Sequence, residues 1–245
     1  MNSGPILFFG LLASMAVSWV AFVLGPVVQL GGLQQTTISS ALKEPYPNNV
    51  PGQAHQGAEI YRANGCAYCH TQQVRPTELG PDLQMGWGTR RSVAADYIYS
   101  DPVMLGSVRI GPDLANAGSR MDETAVLLRL YEPRIVNPTL DAAHSLMPSY
   151  RYLFDVHKVG RLPSTNALTI PDQYMPQGPD KYEVVPRPAA RALAAYVSNL
   201  RQSPYVFEAP PPLGWKNPAD ATNAPGTNAP GTNAPAMPVT NSTPK

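Results

Sequence analysis

Residues 64–76 read NGCAYCHTQQVRP, and Cys66, Cys69 and His70 within them form a CxxCH motif. The chain has no other cysteine. Thiols at i and i+3 share one face of a single helical turn, with an imidazole directly behind the second. Four chemistries use so close a pair. A zinc site takes four ligands, and beyond this motif only His55, His144 and His157 remain, with no paired spacing. A thioredoxin-like couple sits on a strand-to-helix turn of an α/β fold, a pattern absent around these residues. A disulfide across two residues closes a tiny loop and adds little. Covalent haem accounts for the whole motif: each thiol adds to one vinyl group on an edge of the porphyrin, and His70 reaches the iron from the same turn.

The motif directly follows a predicted short helix, QAHQGAEIYRAN, with Ala54, Gly57/Ala58 and Tyr61 at helical spacing and a stop at Asn64-Gly65. A middle helix, DETAVLLRLY, opens on acidic residues, repeats Val126, Leu127 and Leu130 on one face, and ends before Pro133. A last helix, RPAARALAAYVSNLRQ, has Pro188 in its first turn and presents Leu193, Tyr196, Val197 and Leu200. Few runs alternate with period two. The expected fold is mainly α, a helical haem domain with long loops over residues 52–204. A Pro-rich insertion at 153–187 is expected to wrap the surface. Residues 205–245 contain TNAPGTNAPGTNAPA, a repeat of small residues that cannot offset its ordering entropy and is expected to be disordered.

At the other end, no charged residue or histidine precedes Lys43, and Ile6 to Leu30 is apolar almost throughout. At 1.5 Å per residue that run covers about 37 Å, enough to cross a hydrocarbon layer of about 30 Å. A cleaved secretory signal has a basic start and a shorter apolar core, so residues 1–33 read as a retained transmembrane anchor, with Gly25-Pro26 kinking or fraying its far end. Gly10, Ser14 and Ser18 recur every fourth residue and allow close packing on another helix in lipid. Residues 34–51 read as a linker. Flanking charge does not set the orientation. Covalent haem attachment does: it takes place on the outer side of the bacterial cytoplasmic membrane, so the haem domain is expected in the periplasm and the N-terminus inside. The formal net charge of +1 supports no nucleic-acid partner.

An electron-shuttling haem needs a second axial ligand, and a methionine thioether raises the potential. Met85, Met104, Met121, Met147 and Met175 follow His70. Met147 (SLMPSY) and Met175 (QYMPQG) each precede proline in a loop, and spacing to the last helix alone favours Met175. His144 or His157 would give bis-histidine iron at a lower potential.

The ordered set GAEIYRANGCAYCHTQQVRP, SVAADYIYSDPVMLGSVRIGPDLANAG and LMPSY resembles subunit II of cbb3-type cytochrome c oxidases, the membrane-anchored mono-haem c subunit. The resemblance covers roughly residues 53–152. It implies one covalent haem c on Cys66 and Cys69, with His70 and Met147 as axial ligands, the family's Met-Pro motif falling on Met147. GPDL occurs at Gly80–Leu83 and Gly111–Leu114. The family's pattern matches the second copy, so Pro112 is expected to accept the imidazole proton of His70, and the first copy reads as an ordinary loop turn. Arg75 and Arg109, inside the matching motifs, are candidates for the haem propionates. The implied role is an electron relay from a soluble or tethered donor cytochrome to the haem-containing catalytic subunit, alongside a further haem c subunit. The chain itself would carry no oxygen-reduction site. The Pro-rich segment and repetitive tail depart from the family but touch none of these motifs. Two other roles compete: a free-standing tethered cytochrome c serving several acceptors, and a haem sensor with an open sixth position.

Overall fold

In a computed structural model, the structure describes residues 3–37, 45–50, 52–136, 145–202 and 206–210. The first helix, α1 (Gly4–Trp19), runs through a π-helical segment, Val20–Leu24, into α2 (Gly25–Leu30). The whole of Gly4–Leu30 is one 27-residue helix, long and apolar enough to cross a membrane, with none of it buried against the rest of the chain. Gly25-Pro26 neither ends nor frays it. Proline lacks an N–H and its ring clashes with the preceding turn, so the helix widens: the Gly25 N–H bonds Val20 O, five residues back.

Strands β1 (Thr36–Thr37) and β2 (Pro45–Tyr46) pair antiparallel within the expected linker. Tyr46 is buried, and its hydroxyl donates to Asp96 at 2.6 Å, while Arg90, also buried, clamps the same carboxylate at 2.6 and 2.9 Å. The linker is therefore fastened to the domain at its far end.

The domain is built on α3 (Gly52–Ala63), the single-turn α4 (Cys66–Cys69), α5 (Glu123–Tyr131) and α6 (Pro188–Asn199), all close to their expected bounds. Asp122 caps α5 through the Ala125 N–H at 2.7 Å. Helices α3 and α6 cross at small residues: a Cβ on Gly57 would overlap the Ala192 carbonyl and lie 2.6 Å from Tyr196 Cβ. Tyr61 and Tyr196 meet edge-to-face above the crossing, with ring centres 5.5 Å apart. Leu127, Leu130 and Tyr131 of α5 and Leu193 and Val197 of α6 complete one continuous core.

The Pro-rich stretch does more than wrap the surface. Strands β3 (Phe154–Lys158) and β4 (Tyr182–Pro186) pair antiparallel from Phe154↔Pro186 to Lys158↔Tyr182, and Phe154, Val184 and Pro186 are buried. Of the expected tail, only residues 206–210 are described. There Ala209 is buried and Arg91 donates to the Glu208 carbonyl at 2.7 Å, while residues 211–245 lie outside the described residues.

Candidate haem-binding site

Gly65, at φ 69°, makes the left-handed turn between α3 and α4 that Asn64-Gly65 announces. The motif thus forms a helical turn that follows a helix, not a strand-to-helix turn. One turn of helix puts both thiols on one side, and the His70 N–H closes it on Cys66 O at 2.9 Å. Both thiols are free, Cys66 half-buried and Cys69 exposed. Burial pushes the Cys66 thiol up to about 11, against a hydrogen bond from Tyr150 that pulls it down.

His70 leaves the helix in an extended conformation (φ −116°, ψ 94°), which turns its ring away from α4. Its Nδ1 lies 2.9 Å from Pro112 O, the carbonyl expected from the sequence. Donation from Nδ1 leaves Nε2 with a free lone pair, the tautomer a metal requires. The ring lies on the backbone of Gly111, where any Cβ would overlap it. Burial lowers the His70 pKa, which favours the neutral imidazole. Behind it, the Tyr61 hydroxyl donates to His70 O at 2.6 Å.

Residues 104–111 run beside α4 and are fixed there: Gln72 N–H to Met104 O and Gly111 N–H to Cys69 O, both 3.0 Å. Leu105, Val108 and Ile110 of this segment are exposed apolar side chains. Two thiols, an oriented imidazole, a glycine floor and an apolar strip within one small region fit a flat apolar macrocycle with a metal at its centre.

Arg75 and Arg109 converge on Asp82, a carboxylate with no exposed surface. Arg75 donates from its backbone N–H and from Nη2, each at 2.8 Å, and Arg109 donates from Nη2 at 2.5 Å. These pairings draw Asp82 below the usual carboxylate range, against the penalty of burial. Arg109 has φ 49°, a left-handed conformation uncommon for a residue with a side chain, and its buried Nε has no partner among the described residues. The first GPDL copy lies in a run of turns, as expected, and also supplies the carboxylate that Arg75 and Arg109 share. Repetition of GPDL was the available signal. In the second copy, Asp113 is equally buried and accepts the Gln73 N–H and the Ala115 N–H, each at 2.8 Å; desolvation raises its pKa.

Among the methionines, Met104 belongs to the core, Met85 is exposed, and Met121, Met147 and Met175 are half-buried against the core. Met147 is on the loop that leads to Tyr150, whose N–H donates to Leu130 O at 2.7 Å. His157 is on β3, with Nε2 2.8 Å from Glu183, and His144 lies outside the described residues.

A comparison with curated proteins finds no match. A family model, described as cytochrome c oxidase, mono-heme subunit/FixO, matches residues 12–171. The match takes in most of the apolar helix, CxxCH, both GPDL copies and Met147, and ends short of Met175. Well over half of the chain is covered, so it belongs to the mono-haem subunit family of cytochrome c oxidase, as subunit II of the cbb3 type.

Proposed function

We propose that the chain relays electrons from a periplasmic donor cytochrome to the haem-containing catalytic subunit of a cbb3-type oxidase, beside a further haem c subunit. One haem c is held by thioethers to Cys66 and Cys69, with His70 and Met147 as axial ligands. The apolar helix spans the inner membrane with its N-terminus on the cytoplasmic side. The observation that carries this reading is the His70 imidazole, fixed between Gly111 and Pro112 O directly behind two free thiols. When bound, the haem supplies a one-electron couple.

The protein's part is orientation. Pro112 O holds the Nδ1 proton, so the ring cannot flip to offer Nδ1 to a metal. Tyr61 fixes the backbone carbonyl of the same histidine from α3, and Tyr196 donates to Gln72 Oε1 at 2.9 Å from α6. His70 is thereby tied to both helices of the α3–α6 crossing. Arg109 is the stronger of the two arginine candidates for a propionate, because its Nε is buried with no partner among the described residues.

The test is a pyridine haemochrome spectrum of the detergent-purified chain with haem staining on a denaturing gel. One haem per chain that survives denaturation is expected, and Cys66→Ala with Cys69→Ala should abolish it. Met147→Ala should leave haem attached, lower the reduction potential and slow oxidase turnover. A colourless mature chain would end this reading, and carbon monoxide binding to the reduced parent protein would favour an open sixth position instead.

A further inference from the structure

We propose that Glu132 is a positioning residue for the Met147 loop, an assignment that rests on the reading of Met147 as axial ligand. Residues 145–150 form no helix or strand, so beyond the packing of Met147 itself against the core, the loop is held by contacts of its neighbours. Those contacts converge on one buried carboxylate. The Glu132 side chain is 2% exposed, at the C-terminal end of α5. Its Oε2 accepts from Ser149 Oγ at 3.0 Å and from Arg151 Nη2 at 2.9 Å. Arg134 adds a fork, Nε to Oε1 and Nη2 to Oε2, both 2.6 Å.

The carboxylate itself has little freedom. Glu132 N–H makes the last bond of α5, to Leu128 O at 2.9 Å, and α5 carries Leu127, Leu130 and Tyr131 of the core. One residue away, the Tyr150 N–H donates to Leu130 O at 2.7 Å, and Arg151 lies over the Tyr131 ring at 5.1 Å. The end of α5 therefore grips residues 149, 150 and 151 together.

Little slack separates that grip from Met147. Only Pro148 intervenes, and its ring fixes its own φ and restricts the backbone of the residue before it. A shift of Ser149 is passed on to Met147. Removing the carboxylate would leave Ser149, Arg134 and Arg151 without their shared acceptor and the loop without that tie to α5.

A residue that merely stabilised the fold would lower the unfolding temperature and leave the ligand field alone. The measurement therefore reads the ligand, on the full haem-loaded chain in detergent. Glu132→Gln keeps the volume and removes the charge; Glu132→Ala removes both; Arg151→Ala breaks one arm. Three signals are followed: the weak far-red band of oxidised Met-ligated haem, the reduction potential, and carbon monoxide binding by the reduced form. Glu132→Ala is expected to lose the far-red band, fall in potential and gain carbon monoxide binding, with one covalent haem per chain retained. Glu132→Gln and Arg151→Ala should move the same way by less. If all three variants keep the band and potential and exclude carbon monoxide, the proposal is overturned, whatever their stability. Should Glu132→Ala fail to accumulate, the other two decide it by the same criteria. Met147→Ala in parallel separates the two failures: if it too changes nothing, the axial assignment has fallen and this proposal with it.

Discussion

Asp113 Oδ2 accepts the backbone N–H of Gln73 at 2.8 Å, joining loops 40 residues apart in sequence. Asp82 accepts the Arg75 N–H at the same distance. The two GPDL aspartates thus hold alternate residues of the segment that leaves His70, and the one that holds Gln73 directly follows Pro112. Asp113→Ala frees two backbone N–H groups, of Gln73 and Ala115, in a buried setting. A loss of about 2–4 kcal/mol is expected in denaturant unfolding. The Pro112 carbonyl should also loosen from His70, seen as a shift in reduction potential.

Asp82 is the shared counterion of Arg75 and Arg109. Asp82→Asn keeps the shape and leaves two guanidiniums facing a neutral amide. Breaking a buried pair by removing one partner typically costs about 3–5 kcal/mol. Urea unfolding should show that loss, while the exposed Glu78→Gln should stay within about 0.5 kcal/mol of the parent.

Glu132 is held at about 2 against an ordinary 4.5 by Arg134, Ser149 and Arg151. A carboxylate depressed in the folded state contributes stability above its unfolded pKa and loses it as pH falls. The contribution is on the order of 3 kcal/mol at neutral pH and fades between about pH 5 and pH 2. Unfolding measured across that window should be less acid-sensitive in Glu132→Gln than in the parent, and equal slopes would contradict the assignment.

Gly57 marks the closest approach of α3 and α6. Alanine is the better helix former by about 1 kcal/mol, but its Cβ would meet the Ala192 carbonyl and Tyr196 Cβ. Gly57→Ala should therefore lower the thermal midpoint, with a net loss of about 1–3 kcal/mol. At Gly52 a Cβ meets nothing within 4 Å, and Gly52→Ala should be neutral or slightly stabilising.

The helices were legible because each carries a local signal: Asn64-Gly65 ends α3, Asp122 caps α5, Pro188 opens α6. The CxxCH motif was legible because Cys66, Cys69 and His70 are contiguous in sequence, within one helical turn and its exit. What escaped is non-local. Phe154–Lys158 and Tyr182–Pro186 pair across a long Pro-rich connection that gives no hairpin signal. Asp82 looked like a turn residue, since sequence does not reveal that two arginines, one of them 27 positions away, close over it. Tyr46 looked like part of a spacer, because its partner Asp96 lies 50 residues on. The carboxylate that Arg75 and Arg109 share carries no motif that would have announced it.

The anchoring of Tyr46 limits how far the redox centre can roam. From Leu30, where the apolar helix ends, only five residues lead to β1, which is already paired with the strand holding Tyr46. At about 3.4 Å per residue, that leash spans roughly 17 Å at full stretch. A domain on so short a leash is confined close to the end of the apolar helix.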